Sequence, residues 1–323
     1  MSAQVLTPIT QALESGVLTR RELKQCMRRS NLRGLSHAVA FLALIAATGW
    51  LVHLAMAGWW LLPAMFLHGV VLVHLFAPQH ECVHYTPFRS RWLNDLVGNL
   101  CGFAIMLPHQ HFRYEHCDHH TYTQLPGQDP ELIPLPQSLS GYLWYLSSIP
   151  YWRNKFTELP RHIAGRLTEE EKRFIPAPAR PVIFREARLM ALAYLAILAA
   201  CAVFNWWAPV FYWWLPVLLG EPVMRAIRVT EHMGRPTIRD MNVNTRTNLV
   251  SWPWRFLCWN MNYHAEHHYA ASVPFHALPA LHAKIAGHVH VEPGGYLGAH
   301  IDIIRQLTGR NPRMDSIGAE ETA

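Results

Sequence analysis

The sequence predicts an all-α integral membrane protein: four transmembrane helices in two hairpins, with a cytosolic helical cap that carries clusters of histidine. Three observations predict it. No Asp, Glu, Lys or Arg occurs between Arg33 and Glu81, or between Arg188 and Glu221. Each uncharged stretch holds a tryptophan pair, Trp59–Trp60 and Trp206–Trp207, and tryptophan favours the membrane–water interface. Histidines then crowd just beyond these stretches, in "HECVH" at 80–84, "HCDHH" at 116–120 and "HAEHH" at 264–268.

The elements follow in chain order. Residues 1–34 read as a basic cytoplasmic segment, with Arg20, Arg21, Lys24, Arg28, Arg29 and Arg33 close to the membrane. They are polar, and the apolar run after them is too long for a signal peptide, so none is expected. About 20 apolar residues cross a bilayer as a helix. The first uncharged stretch therefore has room for two spans, roughly 35–57 and 59–78. The second is shorter; it holds spans at roughly 188–206 and 209–227 if the last helix continues past Glu221, whose charge an i, i+4 pair with Arg225 would offset. Neither hairpin tip is charged, whereas Arg153, Lys155, Arg161, Arg166, Lys172, Arg173, Arg185 and Arg188 lie on the other side. The positive-inside rule puts the tips outside, and the termini and all three histidine clusters in the cytoplasm.

That placement requires "LVGNLCGFAIMLP" at 96–108 not to cross; it is short, holds two glycines and ends in Pro108, so an interfacial or re-entrant segment is expected. Residues 125–182 are proline-rich and predict cytosolic loops with short helices. The membrane domain with its cap thus spans 35–290, and 291–323 form a polar tail whose last residues are expected to be disordered. The six cysteines form no CxxC pair, which argues against a disulfide framework, a thiolate zinc site or an iron–sulfur cluster. The net charge of +6 sits beside membrane spans, so anionic lipid or an acidic protein is the expected partner, and nucleic acid is not.

Spacing gives the clusters their chemistry. Helix positions i, i+3 and i+4 share a face, so His116, His119 and His120 are expected to converge on one point, as are His264, His267 and His268. His80 and His84 do likewise at the end of the second span. Imidazole suits iron, zinc, copper and nickel; eight histidines exceed one tetrahedral site and match two adjacent ions. Glu81, Glu115, Asp118 and Glu266 alternate with them and are expected to accept the other imidazole proton. The remaining histidines get blander readings: His109 and His111 as polar loop residues, His53, His68 and His74 as carbonyl-bonded groups within spans, and His276, His282, His288 and His290 as surface decoration.

One HxxxH and two HxxHH boxes flanked by paired spans resemble the membrane-bound fatty acid desaturase and hydroxylase family. The third box in its setting, "NYHAEHHYAASVPFHALP", is especially similar, and "DPE" at 129–131 is also familiar. The likeness covers roughly residues 35–290, although "YAASVPF" lacks a proline often found there. It implies a cofactor of two iron ions, O2 as co-substrate and an acyl-chain or other lipid-like substrate. By motif position the ligands would be His80, His84, His116, His119, His120, His264, His267 and His268. Members commonly add a histidine before box three; His232 is the only histidine between His162 and His264 and is the ninth candidate. Asn242, Asn244 or Asn248 could add a water-mediated contact. No "HPGG" or ferredoxin cysteine set is present, so the expected electron donor is a separate ferredoxin, rubredoxin or cytochrome b5 type protein. The implied reaction is O2-dependent acyl desaturation in a bacterial inner membrane. Acyl or lipid hydroxylation and oxidative decarboxylation to a terminal alkene are the alternatives, and a metal-binding membrane protein or transporter is the non-redox one.

Overall fold

The structure is a computed structural model that describes residues 8–309; the end of the tail, where disorder is expected, lies outside the described residues. Among the described residues, three helices are long and apolar enough to cross a membrane: Asn31–Ala55, Leu61–Val83 and Ala177–Phe204. Two short helices, α1 (Pro8–Glu14) and α2 (Arg20–Cys26), precede the first of these, α3 (Asn31–Ala55), which starts where the Ser30 hydroxyl accepts from the Arg33 amide at 3.3 Å. Leu35, Val39, Leu42, Leu51 and Leu54 face outward along α3, as lipid contact requires.

The second long helix bends. Its first part, α4 (Leu61–Val73), tightens at His74 and resumes as α5 (Phe76–Val83), every residue of which is buried. The amphipathic α6 (Arg91–Ala104) follows, with Trp92, Leu96 and Leu100 exposed on one face. At about 1.5 Å per residue it is about 21 Å long, short of the about 30 Å hydrocarbon core. Next come α7 (His109–Tyr122), α8 (Leu139–Leu146), α9 (Ile149–Ile163) and α10 (Glu169–Phe174), and then the third long helix, α11 (Arg180–Phe204). Trp59, Trp60, Trp206 and Trp207 are all exposed at the tips.

The fourth predicted span takes a different form. One π-helical turn at Val210–Trp214 leads into α12 (Leu215–His232), which carries Glu221, Arg225, Arg228 and Glu231 and so falls outside the apolar class. It packs along α4, and Arg225 pairs with Glu221 at 2.7 Å. The two backbones nearly touch: a Cβ on Gly69 would lie 1.9 Å from the Pro216 carbonyl oxygen, and one on Gly220 would lie 2.3 Å from the Gly69 carbonyl carbon. Of two buried histidines in this region, His68 meets a carbonyl on a neighbouring element, as expected, whereas His74 bonds back within its own helix. His68 reaches the Tyr212 carbonyl at 3.0 Å and the Thr48 hydroxyl at 2.8 Å, and His74 reaches the Val70 carbonyl at 2.6 Å.

The described part of the chain beyond α12 packs at the histidine-bearing ends of these helices. It comprises β1 (Thr247–Asn248), α13 (Trp252–Leu257), α14 (His264–Tyr269), α15 (Leu278–Ile285), β2 (Val291–Glu292) and α16 (Gly295–Leu307), with β1 and β2 pairing in parallel. Residues assigned by sequence to the terminal segments pack into this layer. Leu18 is buried beside α15, and α16, inside the expected polar tail, buries Ala299 and Ile303.

Candidate metal centre

Four elements deliver the box histidines. α5 brings His80 and, one residue past its end, His84; α7 brings His116, His119 and His120. The C-terminus of α12 brings His232, and α14 brings His264, His267 and His268. Box three is fixed from behind, where the Ala265 amide donates to the Thr247 hydroxyl of β1 at 3.3 Å and that hydroxyl donates to Glu266. Before it, Trp259 and Asn260 adopt positive φ of 50° and 57° in a tight turn, with the Asn260 side chain donating to the Phe275 carbonyl at 3.1 Å.

All nine sequence-selected histidines meet, in two adjacent groups. His80, His84, His116, His120 and His267 form one; His119, His232, His264 and His268 form the other, with ligating atoms in each group within 4.8 Å of one another. This corrects the expectation that each box converges on a single point. The i, i+4 pairs His116/His120 and His264/His268 stay together, while His119 and His267 cross to the opposite group. A 100° step per residue separates i+3 from i+4 enough for one helix to serve two centres.

The donor atoms fit metal ions. His116 gives its Nδ1 proton to Glu131 at 2.6 Å, which leaves a bare lone pair on Nε2. That Nε2 lies 3.0 Å from His120 Nε2, which in turn lies 3.0 Å from His267 Nε2, and one proton cannot serve both contacts. In the other group His264 Nε2 lies 2.9 Å from His232 Nε2 and 3.0 Å from His268 Nε2. His119 donates through Nδ1 to Asp129 at 2.7 Å, and its buried Nε2 has no protein partner. Lone pairs this close repel unless a cation lies among them. Burial, with neighbouring imidazoles adding to it, pushes His116, His120, His264, His267 and His268 well below their ordinary pKa of 6.5. They are therefore neutral, as metal ligation requires. Burial also lowers His119, but Glu131 and Asp129 outweigh it and raise that group.

The carboxylates behind the histidines are not those expected from sequence. Glu81 accepts from Thr86 at 2.7 Å and the Phe275 amide at 3.0 Å, Asp118 pairs with Arg173 at 2.7 Å, and Glu266 with His282 at 2.6 Å; Glu115 lies 3.9 Å from His111. Asp129, Glu131 and Glu231 take that place. Arg228 joins two of them, at 2.6 Å to Glu131 and 2.7 Å to Glu231, and Glu231 lies 3.7 Å from His264 Nδ1. Asp129 and Glu131 are the ends of the "DPE" run; Glu231 directly precedes His232. His109 and His111 are buried on the first turn of α7 and are not loop residues. Among the asparagines, the Asn244 main-chain carbonyl accepts from His232 Nδ1 at 3.3 Å.

A family model for fatty acid desaturases matches residues 58–292. The chain belongs to the fatty acid desaturase family. The chain is 26% identical to the sn-1 oleoyl-lipid 12-desaturase of Anabaena variabilis over 146 residues, 40% of the chain and 41% of that protein. It is 33% identical over 124 residues to a protein of the same description from Picosynechococcus sp., covering 33% and 36% of the two chains. The match to that of Arthrospira platensis is longer, 24% identity over 313 residues, 86% of this chain and 81% of that one. The chain thus spans about two fifths of the length of the first two of these relatives, and it is a membrane protein of the desaturase family with buried histidine clusters compatible with a metal site.

Proposed function

We propose that this protein is an O2-dependent di-iron desaturase that introduces a double bond into the acyl chain of a membrane lipid. The observation that carries the reading is the sorting of nine imidazoles, seven buried and two (His84 and His120) half-buried, into two adjacent groups whose lone pairs face inward. One iron would be held by His80, His84, His116, His120 and His267, the other by His119, His232, His264 and His268. When bound, the pair supplies oxygen activation and hydrogen abstraction from an unactivated alkyl chain, at the expense of two electrons and two protons.

The protein's own groups prepare that chemistry. Asp129 and Glu131 hold the protons of His119 and His116 at Nδ1, which fixes each ring and frees Nε2. The helices that support the histidines hold the acyl chain against the centre, and which methylene reacts is set by that positioning. The relatives' description as oleoyl-lipid 12-desaturases supports a lipid-borne acyl substrate. α12 serves as a fourth span, so that the spans form two hairpins within a membrane domain of 35–290, flanked by the 1–34 and 291–323 segments. The histidines and termini face the cytoplasm of a bacterial cell. Exposed Arg153 and Arg166 offer a separate ferredoxin, rubredoxin or cytochrome b5 type donor a basic surface. A transport role fits less well, because transport sites belong at mid-membrane, whereas these groups lie at the inner ends of the long helices.

The test is mass spectrometry of lipids and volatiles from cells expressing wild type or His267→Ala with a supplied reductase system. The expected product is two hydrogens lighter than its precursor and absent from the variant. A product one oxygen heavier would make the protein a hydroxylase, and a shortened terminal alkene a decarboxylase. Purified wild type without iron would overturn the di-iron assignment.

A further inference from the structure

A second cluster of metal-ligand type lies outside the nine histidines. His111 on α7, His162 near the end of α9 and Glu171 on α10 meet where these three helices join, with side-chain exposures of 1%, 0% and 8%. His162 Nε2 lies 2.8 Å and His111 Nε2 3.5 Å from Glu171 Oε1, and the rings are 4.7 Å apart between centroids. Neither nitrogen of His111 has a hydrogen-bond partner, and His162 Nδ1 also lacks one. Three orphaned nitrogens on two buried rings require an explanation, because buried polar groups are nearly always paired.

We propose that His111, His162 and Glu171 form a zinc site that ties the helix of box two to α9 and α10. Bonds of about 2.0–2.1 Å in a tetrahedron put neighbouring donors about 3.3 Å apart, and the two nitrogen–oxygen separations straddle that value. Two imidazoles and one carboxylate, with water at the fourth position, suit zinc. The carboxylate has the capacity. Oε2 accepts from the Thr168 amide at 2.6 Å, and Oε1, which accepts from Arg161 at 2.6 Å, keeps a second lone pair for the metal once His162 turns from donor to ligand. Glu115 Oε2 lies 3.9 Å from His111 Nδ1, on the far side of the ring, where a carboxylate would receive the proton that ligation through Nε2 leaves on Nδ1. Burial would raise the Glu171 carboxyl, but hydrogen bonds from His162, Arg161 and the Thr168 amide hold it well below the ordinary carboxylate range.

The experiment is metal analysis of the full-length protein in detergent, loaded first with iron and then equilibrated with zinc and desalted. Wild type is expected to retain about one zinc per chain. His162→Gln and His111→Gln are expected to lose that zinc while keeping their iron, and His264→Ala to keep it, which separates it from zinc misloaded among the nine histidines. Cobalt added to iron-loaded wild type gives a readout independent of how any variant folds: a tetrahedral d–d spectrum is expected. Wild type that retains no zinc and gives no tetrahedral cobalt bands would overturn the proposal, as would zinc that persists in both glutamine variants.

Discussion

At the residue scale, the two histidine groups are joined by charge as well as by the helices they share. Arg228 sits between Glu131, which orients His116 in one group, and Glu231, which faces His264 in the other. Replacing Glu131 with Gln keeps the shape but removes the charge that pulls on the His116 proton, and leaves Arg228 a weaker partner. Losing such an outer contact costs about 10–100-fold in metal affinity. Iron retained by Glu131→Gln through graded chelation is therefore expected to fall by that order, against wild type prepared in parallel; equal retention would remove Glu131 from this role. The histidines were legible because a helix repeats them at i, i+3 and i+4. Their carboxylates were not. Asp129 and Glu131 reach α7 from a turn ten or more residues on, and Glu231 comes from another helix, so the alternating Glu81, Glu115, Asp118 and Glu266 drew attention by adjacency alone. The isolated "DPE" run was the signal available.

At the element scale, the contact of α4 with α12 depends on missing side chains. Gly69 and Gly220 let the backbones approach to where a single added Cβ would clash with main-chain atoms that cannot rotate away. Overpacking of a close-packed interior costs about 1–3 kcal/mol when neighbours can shift and more when they cannot. Gly69→Val is accordingly expected to lower the thermal midpoint in detergent strongly and to reduce the yield of monodisperse protein. Gly58→Val at the first hairpin tip, where an added Cβ meets nothing nearer than 3.9 Å, is the matched control and should melt close to wild type. Equal losses from both would show that the interface tolerates the added volume. The uncharged stretches located the three long apolar helices well, because hydrophobic length is a local property. The break at His74 is tertiary, because α5 is buried throughout and carries His80; on α12 the Arg225–Glu221 and Arg228–Glu231 pairs are local, whereas Arg228 meets Glu131 only once α12 has packed.

At the scale of the whole molecule, sidedness decides whether the histidines can meet an intracellular electron donor. The tips carry tryptophan and no charge, while the opposite layer carries the arginines and lysines of α9, α10 and the start of α11. A bilayer energised negative inside favours that asymmetry with the basic layer in the cytoplasm. A pair of single cysteines tests the orientation directly. In a Cys117→Ser background, which removes the exposed native thiol among the described residues, Gly58→Cys reports on the first tip and Glu170→Cys on the exposed start of α10. A membrane-impermeant maleimide added to intact spheroplasts is expected to label Gly58→Cys and to leave Glu170→Cys untouched until the membrane is permeabilised. The reverse pattern would put the histidines outside and exclude a cytoplasmic donor. Labelling of both in intact cells would mean an even number of crossings between residues 58 and 170 where one is expected, and α6, for all its 14 residues, would then have to be read as part of a second span.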